Sequence, residues 1–338
     1  MPGLFDPIQI KELEIKNRVM MSSMCQYQVK NLDGTPEDWH FVHYASRAIG
    51  GTGLVFFEMT NTEPRGRITE NCLGIWSEKQ IPFYQRITDY CHKFGAKVGL
   101  QIAHAGRKSV IEGGDIVAPS SVPFSDKSPT PRELELREIN DIIEGFGKST
   151  ALAVKSGFDV IELHGAHGYL LHQFMSPASN YRRDEFGEFS KFPVDVISSV
   201  KENMPPEMPL IMRLSAIEYR EGGYGFDHIL KLIPSFLEAG VDVIDISTGG
   251  DGPVKPPHIY PAFQVNFAEK VKQTFKIPVI NVGKLETPEV AEAVIRNGQA
   301  DMVAIGKGML RNPYWAKEAA ICLGNQLLLP GEYNLGFP

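Results

Sequence analysis

The stretch IPVINVGKLETPEVAEAVIRNGQADMVAIGKG, residues 277–308, contains the unit that decides the fold. Two short apolar runs, Val279–Val282 and Met302–Gly306, have the length and composition of buried strands. Between them, Pro288–Asn297 carries apolar residues at helical spacing, and Gly298 stands where that helix would end. Two such strands joined through a helix are predicted to lie parallel in one sheet.

The same alternation extends back along the chain. Further strand-like runs are Val19–Met24, Leu54–Met59, Val98–Ile102, Val160–His164, Leu210–Leu214 and Val243–Ser247. Further helical patterns are Trp39–Ile49, Glu78–Phe94, Glu138–Ser156, Asp227–Ala239, Phe263–Phe275 and Asn312–Leu323. Eight strands that alternate with helices predict an α/β protein, a closed (β/α)8 TIM barrel. The alternative is an open doubly wound sheet, which would carry G-x-G-x-x-G after an early strand, and none follows the first run.

Three segments fall outside this pattern, and we interpret the chain as one domain, residues 1–338. Residues 1–17 contain a hairpin pattern that is expected to cap the bottom of the barrel. Residues 105–135 are rich in Gly, Pro and Ser and form a long insertion after the third strand, which is typical of an active-site lid. Residues 325–338 form a C-terminal tail.

Composition excludes several classes of protein. The 338 residues include 34 Lys and Arg against 41 Asp and Glu, a net charge of −7, with no basic stripe that would indicate a nucleic-acid partner. No apolar run approaches the roughly 20 residues of a membrane span, and the first residues lack the apolar core of a signal peptide. Four widely spaced cysteines without C-x-x-C argue against a zinc ribbon or an iron–sulfur site. We therefore expect a cytoplasmic globular protein.

Reactive groups of this fold lie at the C-terminal ends of the strands, and the fourth strand ends in a polar sequence. His164 and His167 are three residues apart, so one helical turn would place both on the same side, with Tyr169 close by. Neutral imidazoles donate hydrogen bonds, so the pair is interpreted as a holder of a substrate oxygen, with Tyr169 as a proton source. Two alternatives stay open, namely packed core histidines or a metal site with Glu162 or His172 as a third ligand.

Polar groups at other strand ends predict a cofactor site. Gly283 and Gly306 follow the last two strands and would leave backbone N–H groups open to a phosphate, and Lys307 adds a cation. Glycine needed only for turn geometry is the alternative. Arg213 ends the fifth strand and requires an anion, either from a ligand or from a structural ion pair. The remaining polar groups are those of Gln101 and the Ser22–Cys25 backbone. Together the set would suit a flat, polar-edged, phosphorylated cofactor.

Cys25 follows the first strand in Ser-Met-Cys-Gln-Tyr. A thiol at this place would be a nucleophile if a nearby cation lowered its pKa. The sequence places no base beside it, so we favour a thiol that lies against the cofactor and modulates its electronic properties.

The motifs of the chain resemble those of the Old Yellow Enzyme family of FMN-dependent ene-reductases, and most closely its thermophilic-like bacterial subgroup. The resemblance runs from Leu4 to Tyr333. The matching motifs are Lys16-Asn17-Arg18, Ser23-Met24-Cys25-Gln26-Tyr27, Trp39-His40 with His43-Tyr44, Gly66-Arg67-Ile68-Thr69, Leu73-Gly74-Ile75-Trp76, Gln101 with His104-Ala105-Gly106-Arg107-Lys108, Ala118-Pro119-Ser120, His164-Gly165-Ala166-His167-Gly168-Tyr169-Leu170, Phe174-Met175-Ser176-Pro177 and Leu310-Arg311-Asn312-Pro313.

This resemblance implies an FMN-binding barrel that takes hydride from NADPH or NADH and reduces the C=C bond of an activated alkene. The residues implied to hold the isoalloxazine are Ser22, Ser23, Met24, Cys25, Met59, Gln101 and Arg213. Those implied to hold the phosphate are Gly283, Gly306 and Lys307. His164 and His167 would bind the activating oxygen of the substrate, Tyr27 would position the substrate, and Tyr169 would donate the proton. No metal is assigned.

The chain departs from the subgroup at several places. Met59 stands where a small residue is usual, Lys307 replaces an arginine, and the run 188–193 differs from the family pattern. Leu335 occupies the place of an arginine that reaches a neighbouring subunit, so the homo-oligomer, a dimer or a tetramer, would lack that contact. An alternative function, consistent with these departures, is an FMN-binding barrel with little turnover that acts as a redox sensor or flavin store.

Overall fold

The structure of the protein, a computed structural model, describes residues 1–327, 329–333 and 335–336. In chain order its strands are β1 (Ile8–Ile10), β2 (Leu13–Ile15), β3 (Val19–Met21), β4 (Leu54–Asn61), β5 (Lys97–Ala103), β6 (Val117–Ala118), β7 (Arg132–Glu133), β8 (Val160–Gly165), β9 (Leu210–Ser215), β10 (Val243–Ser247), β11 (Val279–Val282) and β12 (Met302–Ile305). Its α-helices are α1 (Asp38–Ile49), α2 (Ile81–His92), α3 (Leu136–Lys155), α4 (Leu170–Met175), α5 (Lys191–Glu202), α6 (Phe226–Ala239), α7 (Val265–Phe275), α8 (Pro288–Arg296), α9 (Lys307–Arg311) and α10 (Trp315–Cys322).

Eight parallel strands form a closed barrel in the order β3-β4-β5-β8-β9-β10-β11-β12, and β12 pairs with β3 to complete it. The predicted (β/α)8 barrel is therefore confirmed, and all eight predicted strands are present. The predicted N-terminal hairpin is β1 paired antiparallel with β2. Its Ile8, Ile10 and Ile15 pack against Met20 and Phe56 from inside the barrel, so the hairpin closes one end.

Strand β4 shows how one strand serves both faces of the barrel wall. Phe56 packs in the interior, whereas Phe57 faces α1, where its ring stacks on Tyr44 at 3.8 Å between centroids. The register against β5 then shifts between Phe57 and Thr60, which marks a β-bulge. A bulge adds a residue to one strand and changes the direction of the side chains around it. Glu58 consequently also contacts Tyr44, and Met59 packs in a small cluster with other residues of the cavity wall.

The structure differs from the sequence interpretation at several places, including the short helices α4 and α9, which were not predicted. The first strand ends at Met21, after which Ser22 N–H still donates to the Ile305 carbonyl, and the following residues leave the sheet. Helix α5 was not predicted. It begins directly after Ser190, inside the 188–193 run, and Phe192 from its first turn stacks on Phe174 with centroids 4.0 Å apart. The last predicted helix begins later than expected, at Trp315.

The insertion at residues 105–135 is anchored by charged groups. Its short strands β6 and β7 pair with each other. Asp115 binds Arg132 at 2.7 Å and Arg65 at 3.0 Å, and Arg132 also binds Glu138 at 2.7 Å in the first turn of α3. A network of this kind is worth more than isolated surface pairs. The role of the insertion as a lid stays a prediction. No helix in the described part of the chain is long and apolar enough to cross a membrane.

We expect Phe57→Ala to lower the free energy of unfolding by about 3–5 kcal/mol, because it removes a buried ring and leaves a cavity between β4 and α1. The matched control is Tyr181→Ala, where the ring is 63% exposed, and there the expected change is within about 0.5 kcal/mol. Chemical denaturation of both variants measures the difference. Equal losses would contradict the assignment of Phe57 to the core between sheet and helix.

Candidate active site

A cavity of about 420 Å³ lies at the C-terminal end of the barrel strands. Every site residue predicted from the sequence lines this cavity except Gly283. The lining residues are Ser22, Ser23, Met24, Cys25, Tyr27, Met59, Gln101, His164, His167, Tyr169, Arg213, Gly306 and Lys307. They come from the ends of six different barrel strands and from the loops that follow them, so the barrel closure brings together groups that are distant in sequence.

Gly283 follows β11 and is not among the residues that line the cavity. Its φ of +122° lies outside the range that side chains usually adopt, and a Cβ atom there would come within 2.4 Å of the Gln264 amide nitrogen. That amide donates to the Val282 carbonyl at 2.7 Å. The turn and the close approach of Gln264 therefore require glycine at this position, which is the structural alternative considered for it.

Arg213 lies at the floor of the cavity between two partners. Its Nε is 3.1 Å from a carboxylate oxygen of Asp245, and its Nη1 donates to the Ser22 hydroxyl at 3.3 Å. The ion pair that the sequence left open is thus present. The same guanidinium still lines the cavity, and its Nε makes no well-aligned hydrogen bond. Arg213 can therefore serve both the ion pair and a bound ligand.

Two buried carboxyl groups lie below this floor. Glu162 accepts a hydrogen bond from the Gln101 amide at 2.6 Å, and Gln101 in turn accepts from the Ser23 hydroxyl at 2.9 Å. Burial, with Asp245 nearby, raises the pKa of Glu162 to about 8. Burial also raises the pKa of Asp245. Two close carboxyl groups in a dry site retain a proton between them, so a single negative charge remains to balance Arg213.

His164 and His167 stand together in the wall of the cavity. Their ring centroids are 5.2 Å apart and the rings are nearly perpendicular. Burial, reinforced by the positive charges of Arg213 and Lys108, lowers the pKa of both rings well below the usual histidine value. Both are therefore neutral near pH 7. A neutral ring offers one N–H donor, which suits a partner oxygen that gains negative charge.

The proton on His167 is positioned by Ser247. His167 Nε2 lies 2.7 Å from the Ser247 hydroxyl oxygen, while the Gln264 carbonyl oxygen is 3.4 Å from it. Thr248 already donates to that Gln264 oxygen at 2.6 Å. The shorter distance favours a Ser247 hydroxyl that donates to Nε2, and this assignment leaves the His167 proton on Nδ1 as a free donor.

Tyr169 lies beside the histidines, with its ring centroid 4.8 Å from that of His164. Burial raises the pKa of its phenol well above the usual value, so the hydroxyl keeps its proton. The Lys108 ammonium lies 4.6 Å from the centre of the Tyr169 ring, and it donates to the carbonyls of His167 at 2.8 Å and Gly250 at 3.2 Å. Lys108 therefore fixes the loop that carries the histidines and the tyrosine.

The Cys25 thiol is neutral in this environment. Burial raises its pKa, and the nearby Glu58 carboxylate raises it further. The nucleophile hypothesis requires the opposite shift, so the structure does not support it. The sulfur instead receives hydrogen bonds from the Tyr27 hydroxyl and from the Met59 backbone. Tyr27 itself is 43% exposed at the rim and has a φ of +54°.

The geometry does not favour a metal site at the two histidines. Both suggested third ligands are engaged elsewhere, Glu162 with Gln101 and His172 with Glu218 at 2.9 Å. His172, Glu218 and Asp251 form a tight group of potential ligands within the described residues. However, Asp251 binds the Arg107 guanidinium at 2.6 Å, so a cation already occupies that side of the group.

Three departures from the subgroup have visible structural settings. The Met59 side chain is buried in a cluster with Ala103 and Ala105, and Cys25 and Tyr169 pack against the same cluster. Lys307 is exposed at the start of α9 on the cavity wall. Leu335 is fully exposed in the tail and offers no charge.

Sequence reasoning missed three residues that act behind the cavity wall, namely Glu58, Ser247 and Lys108. Glu58 is a lone acid in an otherwise apolar strand run, which was an available signal. Ser247 ends the sixth strand, where polar residues were expected, but its partner could not be identified. Lys108 was named only as the last residue of the His104–Lys108 motif, without a role of its own.

The donor set of the cavity fits the flat, phosphorylated cofactor that the resemblance implies. His164 Nδ1 is buried without a hydrogen-bond partner, and its residue lines the cavity beside the Arg213 guanidinium. A buried polar atom left without a partner is costly, so it indicates a ligand with polar groups, such as the carbonyl edge of a flavin. A Cβ atom at Gly306 would meet nothing closer than Met24 Sδ at 3.5 Å, so the backbone there is open to a phosphate.

Comparisons with known proteins agree with this fit. Residues 3–324 match the NADH:flavin oxidoreductase / NADH oxidase family. NADPH dehydrogenase of Listeria innocua is 44% identical over 99% of this chain and 99% of its own. NADPH dehydrogenase of Geobacillus thermodenitrificans is 41% identical over 99% and 98%.

Among solved structures, morphinone reductase is similar with a TM-score of 0.82 and 26% identity, covering 97% of this chain and 91% of that one. The barrel, the cavity and these relatives lead to one conclusion. The chain belongs to the NADH:flavin oxidoreductase / NADH oxidase family, that of the Old Yellow Enzymes, and it is an FMN-dependent NAD(P)H oxidoreductase that acts on small molecules.

Proposed function

We propose that this oxidoreductase reduces the C=C bond of activated alkenes, that is, α,β-unsaturated carbonyl or nitro compounds. One observation carries the proposal. Two neutral histidines, the donors for an oxygen, stand beside a tyrosine that keeps its proton. Bound FMN supplies the hydride that is added to the β-carbon. Ser22, Ser23, Met24, Cys25, Met59, Gln101 and Arg213 would hold its ring system, and Gly306 and Lys307 its phosphate.

The histidines stabilise the charge that develops during the reaction. When hydride reaches the β-carbon, the electron pair of the C=C bond moves toward the carbonyl or nitro oxygen. N–H donors of His164 and His167 at that oxygen stabilise the resulting enolate-like charge, and they are positioned before the reaction starts. Because both rings are neutral, they donate hydrogen bonds without transferring a proton to the oxygen.

Tyr169 completes the reaction by giving its phenolic proton to the α-carbon. The new C–H bond forms as the O–H bond breaks, and the tyrosinate regains a proton from solvent. The Lys108 ammonium near the ring, at 4.6 Å, stabilises the tyrosinate in the interval. Tyr27 at the rim of the cavity would contact the substrate, and residues 105–135 would act as the lid. The NADPH dehydrogenase names of the relatives support NADPH as the hydride donor.

A two-step redox experiment tests the function. The FMN-loaded protein is reduced without oxygen by NADPH, and 2-cyclohexenone is then added. We expect the flavin to be fully reoxidised, seen as recovery of its absorbance, and cyclohexanone to form. The alkene accepts the hydride at its β-carbon, and Tyr169 donates the proton to its α-carbon. Cyclohexanone added in place of the alkene is the control and should leave the flavin reduced. Reduction by NADPH without reoxidation by the alkene would instead favour a redox sensor or flavin store.

Tyr169→Phe should slow reoxidation by 2-cyclohexenone by about 100-fold, the usual order for loss of a positioned general acid. The rate of reduction by NADPH should stay within about twofold, since hydride transfer to the flavin needs no acid from this residue. Stopped-flow absorbance measures the two half-reactions separately. A similar loss in both halves would show that Tyr169 shapes the cavity rather than donates the proton.

Ser247→Ala should weaken binding of a phenol, a mimic of the enolate oxygen, by about tenfold, because His167 loses the hydroxyl that keeps its proton on Nδ1. Thr248→Val is the matched control. It removes the neighbouring hydroxyl, which bonds Gln264 and has no contact with His167. Titration of the flavin absorbance gives both affinities. If the two variants lose the same affinity, the position of the His167 proton does not depend on Ser247.

We also propose that the protein acts in the cytoplasm as a homo-oligomer. All four cysteines are free thiols. Trp39 and Val42 on α1 and Phe83 on α2 are large apolar side chains with half or more of their surface exposed, which supports a further protein contact there.

A further inference from the structure

Glu58 is a completely buried acid that the proposed mechanism does not use. It lies at the β-bulge of β4, next to Met59. The bulge directs Glu58 out of the barrel, where it contacts Tyr44 of α1, while Met59 lines the cavity. The carboxyl group therefore lies directly behind the wall that carries Cys25.

The surroundings of the Glu58 carboxylate consist of hydrogen-bond donors. Its Oε2 accepts the backbone N–H of Gln26 at 2.8 Å. Its Oε1 accepts the Tyr44 hydroxyl at 3.3 Å, whose oxygen in turn accepts the Glu58 backbone N–H at 2.8 Å. His40 Nε2 lies 3.5 Å from Oε1. Since His40 Nδ1 accepts the Glu37 N–H at 2.9 Å, its proton is on Nε2 and faces the carboxylate.

No cation balances this carboxylate within the described residues. The titratable groups that face it are His40 and Tyr44 on α1, Cys25 and Tyr27 in the loop after β3, Cys72 in the loop after β4 and Tyr84 on α2. Burial lowers the pKa of His40 to about 4, so that ring is neutral. Burial, opposed by the hydrogen bonds from Gln26, Tyr44 and Tyr27, raises the pKa of Glu58 to about 7. The ionised form of Glu58 is therefore stabilised by its hydrogen-bond donors alone.

The donors that matter for the cavity are in the turn after β3. Glu58 accepts the backbone N–H groups of Gln26 and Tyr27. Tyr27 has a φ of +54°, an unfavourable backbone conformation for a residue with an aromatic side chain. The same turn carries Cys25, whose sulfur accepts the Tyr27 hydroxyl. An ionised Glu58 holds the strained turn, whereas a protonated one has lost part of its capacity to accept hydrogen bonds.

We propose that Glu58 is a positioning residue, whose carboxylate holds the Cys25–Tyr27 turn so that the thiol and the phenol face the flavin and the substrate. The effect of Glu58 on alkene binding rests on the proposed function, whereas its contact with the Cys25–Tyr27 turn does not. Glu58 touches neither substrate nor cofactor and acts through Tyr27. As pH falls from 8 to 6, the carboxylate takes up a proton, the turn loosens and the substrate is held less well.

The test compares Glu58→Gln with the wild-type FMN-loaded protein in two measurements. The first is amide hydrogen exchange of residues 23–28. Exchange should be at least about tenfold faster in the variant at pH 8, because the neutral amide replaces an acceptor oxygen with a donor group. Residues 210–215 of β9 serve as the internal control and should be unchanged. Equal exchange at 23–28 in both proteins, or faster exchange at both segments, would overturn the proposal.

The second measurement is KM for 2-cyclohexenone between pH 6 and 8. We expect KM to be about fivefold higher for Glu58→Gln at pH 8 and to converge with wild type at pH 6, where Glu58 is protonated. Lys108 and Glu162, which also titrate in this range, are present in both proteins and cancel in the ratio. If the ratio of the Glu58→Gln KM to the wild-type KM does not change with pH, Glu58 has a structural role only.

The KM effects of Glu58→Gln and Tyr27→Phe should be less than multiplicative when the two substitutions are combined. Multiplicative effects would contradict action through Tyr27.

The two proposals fail in different ways. If wild type is reduced by NADPH and is not reoxidised by 2-cyclohexenone at any pH, ene-reduction fails, and the exchange measurement still decides the role of Glu58. If wild type turns over and both measurements leave Glu58→Gln indistinguishable from it, the positioning role fails and ene-reduction stands.

Discussion

The hydrogen bonds between the first and the last barrel strand are the constraint on which the rest of the structure depends. Val19, Met20 and Met21 of β3 pair with Val303, Ala304 and Ile305 of β12. This pairing closes the sheet and removes both of its edges. It also places the Ser22–Cys25 loop beside Gly306 and Lys307, although almost the whole chain separates them. A cavity that needs groups from both ends of the sequence exists only because the barrel closes.

The bulge in β4 determines which side chains the cavity receives. In a regular strand the inside and outside positions alternate, so Phe57 and Glu58 would lie on opposite faces. The register shift places both against α1 and turns Met59 to the cavity. The same irregularity thereby creates the buried contact between Glu58 and the Gln26 backbone. One inserted residue therefore places the apolar Met59 side chain on the cavity side of β4 and the polar Glu58 side chain on the side of α1.

The sequence was sufficient for the barrel and for most of the cavity because both follow from local patterns. Alternating apolar runs and helical segments repeat along the chain, and polar residues at strand ends of such a barrel face one common end. The contacts behind the wall could not be predicted this way. Ser247 and His167, or Glu58 and Gln26, meet through the pairing of different strands and through a bulge, and neither leaves a periodic signal. At Gly283 the sequence predicted a phosphate contact, and the structure adds a second reason for glycine there, the close approach of Gln264.

Burial shifts the pKa of the histidines, the Tyr169 phenol, the Cys25 thiol and the Glu162 carboxyl group of the site in one direction, toward the neutral form. It keeps His164 and His167 unprotonated and Tyr169 and Cys25 protonated, and it raises the pKa of Glu162. The positive charges of Arg213 and Lys108 reinforce this for the histidines, because a cation disfavours a second one nearby. A site built in this way presents fixed N–H and O–H dipoles and little mobile charge. Such dipoles stabilise a charge that appears only during the reaction, and they need no reorganisation to do so.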